Sequence, residues 1–232
     1  MNNRVWIVSK VNIRNQKVAY MITLVAFLLM TIPSIIQVLQ AGPNEYFEKS
    51  YLLSSGNMLY VLLLVSPIFI CKTNFTRFMH LNGRKVDYIR GTFLTYVILA
   101  VVVSIANHIF YFTLDQSWKE TFQVINLIEV FGWINNGVFF SFLQESAFLL
   151  LLAIFIHTLT TMHDSWIGWI IDLLLIVLFG LSLTISPFIE IRTWFFNLII
   201  FASNAWIQII VCLMLILPIY KINKYYLGKK NI

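Results

Sequence analysis

Residues 18–40 read VAYMITLVAFLLMTIPSIIQVLQ, twenty-three residues without a single Asp, Glu, Lys or Arg. An α-helix needs about 20 apolar residues to cross a bilayer, so this stretch reads as a membrane span. Five more stretches of similar character follow, at residues 51–71, 92–113, 134–157, 167–187 and 197–220. Hydrophobic residues make up 59% of the 232-residue chain and charged residues 11%, against about 25% charged in a soluble domain. The connectors are too short to hold a water-soluble enzyme domain. The expected fold is an all-α membrane protein, a single transmembrane domain over residues 1–232.

The basic residues give the chain an orientation. Arg4, Lys10, Arg14 and Lys17 precede the first span. Lys72, Arg77, Arg84, Lys85 and Arg90 lie between the second and third, and Lys221, Lys224, Lys229 and Lys230 follow the sixth. Only Lys49, Lys119 and Arg192 of the sixteen fall on the other side. The positive-inside rule then places both termini in the cytoplasm, which six spans allow. Glu45, Glu48, Asp115, Glu120, Glu129 and Glu190 all fall outside. The basic character therefore matches loops facing anionic lipid and gives no support for nucleic-acid binding. Cys71 and Cys212 are not placed for an extracellular disulfide and read as packing residues.

Residues 1–17 read as an interfacial helix, with Lys10, Arg14 and Lys17 on one side and Trp6 at headgroup level. Gly42, Pro43 and Asn44 break the chain after the first span. Residues 114–133 mix apolar and charged positions, and a short helix along the outer surface is expected. Residues 188–203 fit two readings: a loop leading into the sixth span, or a short re-entrant pair with that span starting near Ser203. Trp118, Trp133, Trp166, Trp169 and Trp194 lie near span ends, as in an aromatic belt.

The connector at residues 72–91, KTNFTRFMHLNGRKVDYIRG, carries the most information. Phe75, Phe78 and Met79 share a helical face, while Lys72 and Arg77 can point away. Asn82-Gly83 is a helix stop, and a new helix starts at Arg84. A short amphipathic helix at the cytoplasmic surface suits docking in a groove of another protein.

The run LNGRKVDYIRGTFL at residues 81–94 resembles the segment after the second span of ABC transporter permeases of the type 2 exporter class. There a basic pair after a turn is followed by an acidic-aromatic pair, a Gly and an apolar run. The six-span layout, the basic N-terminal helix and the basic tail resemble that family too. Asn82-Gly83 stands where the family usually carries a Pro. The resemblance implies that residues 72–91 form a coupling helix contacting a separate cytosolic ATPase through Phe75, Arg77, Phe78, Met79, Arg84, Lys85, Asp87 and Tyr88. It also implies a second permease subunit, in a homo- or heterodimer. This chain has no Gly-rich phosphate loop with its Lys and Ser/Thr, so ATP and Mg are expected on the partner ATPase and no cofactor on this chain.

Gln144 and Glu145 inside the fourth span and Asp172 inside the fifth are the remaining candidates. An ionised residue at mid-membrane costs on the order of 3 kcal/mol to insert and faces protein or water. These residues line a translocation path, or they make structural hydrogen bonds between helices. Asn135 and Asn136 read as caps at the outer end of the fourth span. His108, His157 and His163 do not have metal-ligand spacing, and Ser104 with His108 lacks any further sign of a protease pair.

The expected function is the permease subunit of an ATP-driven bacterial exporter in the cell membrane, moving a hydrophobic or amphipathic peptide or antimicrobial. The alternative is a non-transporting immunity or sensor protein that binds an antimicrobial peptide. We predict that a cysteine at position 84 is shielded from a membrane-impermeant label in intact cells, whereas one at position 48 reacts. The reverse pattern would overturn the orientation.

Overall fold

The computed structural model describes residues 3–40, 51–119 and 122–230. Gly42, Pro43, Asn44, Glu45, Glu48, Lys49 and Glu120 lie outside the described residues. The chain begins with α1 (Asn3–Arg14) and α2 (Lys17–Gln40), then β1 (Tyr51–Leu53), α3 (Tyr60–Phe69) and α4 (Phe75–His80). Next come α5 (Lys85–Phe110), α6 (Gln116–Trp118), β2 (Gln123–Ile125), α7 (Leu127–Val130) and α8 (Val138–Met162). Finally α9 (Trp166–Thr184), α10 (Ser186–Ile199) and α11 (Ala205–Lys229) complete the fold. Six helical runs are long and apolar enough to cross a membrane.

The boundaries differ from the sequence reading at each span after the first; the fourth runs Val138–Met162 rather than 134–157 and the fifth Trp166–Thr184 rather than 167–187, and the remaining differences are larger. The second span starts at Ser55 rather than residue 51 and runs unbroken to His80. Pro67 removes one backbone donor from it, and a π-turn at Ile70–Asn74 follows, a usual place for a helix to change direction. The third span extends from Lys85 to Trp118. Its 34 residues correspond to about 51 Å at 1.5 Å per residue, so it projects beyond the bilayer. The expected surface helix over 114–133 is instead the end of that span, a strand and two short helical turns. The strand β2 pairs in parallel with β1, Leu52 opposite Val124. β-branched Val124 and Ile125 favour the strand, and Leu52, Phe122 and Val124 bury one another beside Val38 and Trp118.

The segment after the fifth span is neither a loop nor a pair. It is the one helix α10, and the sixth span starts at Ala205. Ile185, in extended conformation, is the single residue joining α9 to α10. The Trp133 indole donates to the Ile200 carbonyl at 2.8 Å. Phe195 and Phe196 line an apolar cavity with Phe148, Phe155, Leu215 and Ile219. α10 therefore lies at the depth of the spans. Trp133 is fully buried, so it belongs to the core and not to an aromatic belt.

The core sits on α5 and α8, with α3 beside them; α2, α9 and α11 leave most of their apolar surface outward. Both ends of the chain gather at one end of the bundle, the basic end. α1 lays Val8, Ser9 and Asn12 against α5 and leaves Lys10 and Arg14 exposed, as is Lys17 at the start of α2. Asn12 donates to Thr92 (3.1 Å) and accepts from Asn74 (3.2 Å), so one amide joins three elements. Gly91 makes the approach possible: a Cβ there would stand 2.5 Å from Val8 Cβ and 2.9 Å from the Val5 carbonyl.

Gly91→Ala should therefore push α1 off α5. Overpacking of this kind costs about 1–3 kcal/mol. A cysteine at position 8 should become reactive to a thiol label in the Gly91→Ala background. An unreactive cysteine with unchanged thermal stability would refute the packing role.

Candidate functional site

Two constellations stand out, one at the basic end and one deep in the bundle. At the basic end the chain stops α4 by a Schellman turn. Asn82 takes the left-handed conformation (φ 54), Asn82 N–H donates to Met79 O at 2.9 Å, and Gly83 N–H donates to Phe78 O at 3.2 Å. Asn tolerates this conformation better than most residues. Gly83 leaves the space that the Phe78 ring occupies. The sequence stop at Asn82-Gly83 is thus realised in backbone geometry.

The apolar face of α4 is not presented outward, contrary to the sequence expectation. Phe75 is fully buried, edge-on to Tyr88 with ring centroids 5.1 Å apart, and Phe78 lies 5.6 Å from the same ring. Met79 is half-buried against the same core. The Tyr88 hydroxyl donates to the Ile70 carbonyl at 2.6 Å, pinning the π-turn. Asp87 is buried in the first turn of α5, where its charge complements the helix dipole. The outward residues are Arg77, His80, Leu81 and Arg84, and Leu81 is 82% exposed.

Lys85 is not a free contact residue either. Its ammonium donates to the carbonyls of Gly228 (2.9 Å) and Lys230 (2.8 Å), closing the negative end of α11. Lys230 in turn pairs with Asp164, and its ammonium lies 5.4 Å from the centre of the Phe75 ring. The connector between spans two and three is therefore fastened to the last helix and to the connector between spans four and five. Mechanically, α4, α5 and the end of α11 form one joint.

Deep in the bundle, Glu145 is fully buried, accepts three hydrogen bonds and has the His108 ring beside it. Tyr60 Oη lies at 2.6 Å, Ser104 Oγ at 2.7 Å, Asn107 Nδ2 at 2.8 Å and His108 Nδ1 at 3.0 Å. His108 Nδ1 also faces the Ser104 backbone carbonyl at 2.9 Å, and its Nε2 reaches Ser141 at 3.1 Å. Histidine thus meets the Ser104 main chain and not its hydroxyl, which is no nucleophile–base pair. A charge in this setting is tolerated only when it is paired and hydrogen-bonded, and these donors supply that.

The network continues toward the far end. Asn107 Oδ1 accepts from Asn126 at 3.3 Å, and Asn126 donates to Asp115 (2.7 Å) and Ser54 (3.1 Å). Gly56 has no side chain where Asn107 Oδ1 stands. Beyond it, at the surface, Lys119 pairs with Glu129. Burial alone would lower the Lys119 ammonium, but the Glu129 carboxylate holds it above its ordinary value.

The three residues expected on a translocation path do not converge. Glu145 turns toward α3 and α5. Gln144, equally buried, turns toward α11, donating to Gln208 at 2.5 Å and accepting from Asn136 at 3.1 Å. Asp172 sits at the basic end, 2.9 Å from His163 Nδ1, beside Ile68, Lys72, Leu159 and Thr160. His157 forms a third separate site, its Nδ1 2.7 Å from the Tyr96 hydroxyl. Sequence reading missed Tyr60, Asn107, Asp115 and Asn126. A signal existed: Ser104, Asn107, His108, Tyr111 and Asp115 form one stripe at helical spacing, and residues 97–112 are otherwise apolar.

Comparison of the chain with protein-family models, with curated proteins and with solved structures gives no match.

Glu145→Leu should strip the acceptor from Tyr60, Ser104 and Asn107 at once and lower stability by about 3 kcal/mol or more, since each buried orphan costs about 1–3 kcal/mol. Glu145→Gln keeps an acceptor for Tyr60 and Asn107 and should cost less. Thermal unfolding of both variants in detergent checks this. Equal melting temperatures for wild type and Glu145→Leu would show that the carboxylate holds nothing together.

Proposed function

We propose that this chain is the membrane-spanning permease subunit of an ATP-driven bacterial exporter in the cell membrane. The observation that carries the reading is the joint at the basic end. The structure carries span two without a break through α4, so the expected separate coupling helix is the end of that span; this end and the turn after it show Arg77, His80, Leu81 and Arg84 outward and are bolted by aromatic packing to the long span α5. A push on α4 would pass through Tyr88 to α5 and to the π-turn of span two. The buried seam around Glu145 then makes spans two, three and four move together. That is the mechanical arrangement an external motor requires, and it agrees with the resemblance of residues 81–94 to type 2 exporter permeases.

The chemistry of ATP would belong to a separate cytosolic ATPase with its own Mg, because this chain has no phosphate loop. The chain itself makes and breaks no bonds in this scheme. Its role is to couple nucleotide-driven motion to helix tilt. The outward apolar surfaces of α2, α9 and α11 meet lipid and a second permease subunit, identical or related. A hydrophobic or amphipathic peptide or antimicrobial fits as cargo, since the apolar spans let it enter from the membrane. The side-chain roles change from the sequence reading in one respect. Contact with the ATPase falls to Arg77, Leu81 and Arg84, while Phe75, Phe78, Met79, Lys85, Asp87 and Tyr88 hold the lever in place.

Leu81→Asp places a charge on the most outward residue of the lever without touching the core. Capture of a cytosolic ATPase from the native cells should fall about tenfold, the equivalent of 1.4 kcal/mol, with the melting temperature unchanged. Undiminished capture of the ATPase by Leu81→Asp and by an Arg77→Glu/Arg84→Glu double variant would sink the coupling role. Failure of the wild-type chain to capture any ATPase would favour a non-transporting immunity or sensor protein.

A further inference from the structure

An open pocket of about 330 Å³ lies at the end of the bundle opposite the lever, between the starts of α8 and α11. It is lined by Asn136, Phe140, Ser203, Asn204, Ala205 and Trp206, with no charged side chain among them. Its volume is at the lower end of the usual range for small-ligand sites. One wall is aromatic: Phe140 and Trp206 meet edge to face, centroids 5.4 Å apart, and the Trp206 side chain is largely exposed. The other wall is amide. Asn204 Oδ1 caps α11 by accepting from Trp206 N–H at 2.9 Å, which leaves its amide N–H₂ uncommitted.

The wall is backed by a chain of three amides. Asn136 Nδ2 donates to Gln144 Oε1, and Gln144 Nε2 donates to Gln208 Oε1. Gln208 is fully buried one turn below Asn204, and its Nε2 has no partner. Reversing all three amides would reverse the chain and leave the same two open positions, one donor and one acceptor. Burying an unpartnered amide costs free energy; Gln208 lies behind the lining, and the amide of the chain that reaches the pocket is Asn136.

We propose that this pocket binds a neutral sugar unit. Sugar hydroxyls donate and accept equally, which suits Asn136, Asn204 and Ser203, and a sugar's C–H face suits an exposed indole. An anion would use donors alone and would draw on Lys or Arg, and a cationic peptide would draw on Asp or Glu; the lining has neither. The sugar is either free or the headgroup of a glycolipid in the surrounding leaflet. The assignment is independent of export and stands or falls without an ATPase.

The test uses the full chain in nanodiscs containing diglucosyl-diacylglycerol and phosphatidylglycerol, with bound lipid read by native mass spectrometry. We expect the glycolipid to be retained over phosphatidylglycerol, and Trp206→Ala and Asn136→Ala each to weaken retention about tenfold. Displacement by free cellobiose would assign the site to soluble sugar, and resistance to displacement would assign it to the lipid headgroup. Ser203→Ala, at an exposed position, gives a further loss that cannot be ascribed to misfolding. Retention unchanged in all three variants would reduce Trp206 to a membrane-interface aromatic and overturn the proposal. Tighter retention of phosphatidylglycerol would overturn it as well.

Discussion

The carboxylate of Glu145 sets the terms for much of this structure. A charge at that depth must be met by donors, and the donors must come from several helices at once. Tyr60 from α3, Ser104, Asn107 and His108 from α5, and Glu145 itself from α8 fix the rotation of three spans about their axes. Lipid offers no hydrophobic drive to bring helices together. Polar satisfaction therefore does here what apolar burial does in water. Small residues follow from the same demand: Gly56 has to be Gly because Asn107 stands against it.

The two ends of the bundle are built on different principles. At the basic end, aromatic stacking and carbonyl capping tie α4, α5 and α11 into a joint. At the opposite end, side-chain amides dominate: Asn57 donates to the Ile125 carbonyl and accepts from Leu127 N–H, and Asn126 ties Asp115 to Ser54. Amides bridge backbone segments without changing charge state, so these particular bonds do not themselves titrate. The chain thus ties its basic end together mainly through rings and carbonyls and its far end mainly through side-chain amides.

Six spans, the Asn82-Gly83 stop and the depth of Glu145 were legible because each rests on local information: apolar length, turn chemistry and the cost of a charge in hydrocarbon. The direction in which Phe75 and Lys85 point was not. Both depend on partners in other elements, Tyr88 across the turn for Phe75 and the carbonyls near Gly228, far along the chain, for Lys85. The amphipathic pattern of α4 was real, but its apolar side faces the protein's own core, and a helical wheel cannot distinguish that core from a partner's groove. The sixth span was drawn too early because α10 is nearly as apolar as the spans themselves. The polar stripe on α5 was present in the sequence; its meaning depended on Glu145 arriving from another helix.

The strand pair β1–β2 has a consequence for how the membrane domain is assembled. Its two strands are parallel, and between them the chain crosses the membrane down and back through spans two and three. Three residues on each side must meet in one register. Sliding either helix along its axis by a single residue displaces a strand by about 1.5 Å, and changing strand register by one residue turns Leu52 or Val124 to the wrong face. The small sheet is therefore a depth gauge. It closes only when both helices have come to rest at matched heights, so correct insertion is read out in hydrogen bonds at the surface.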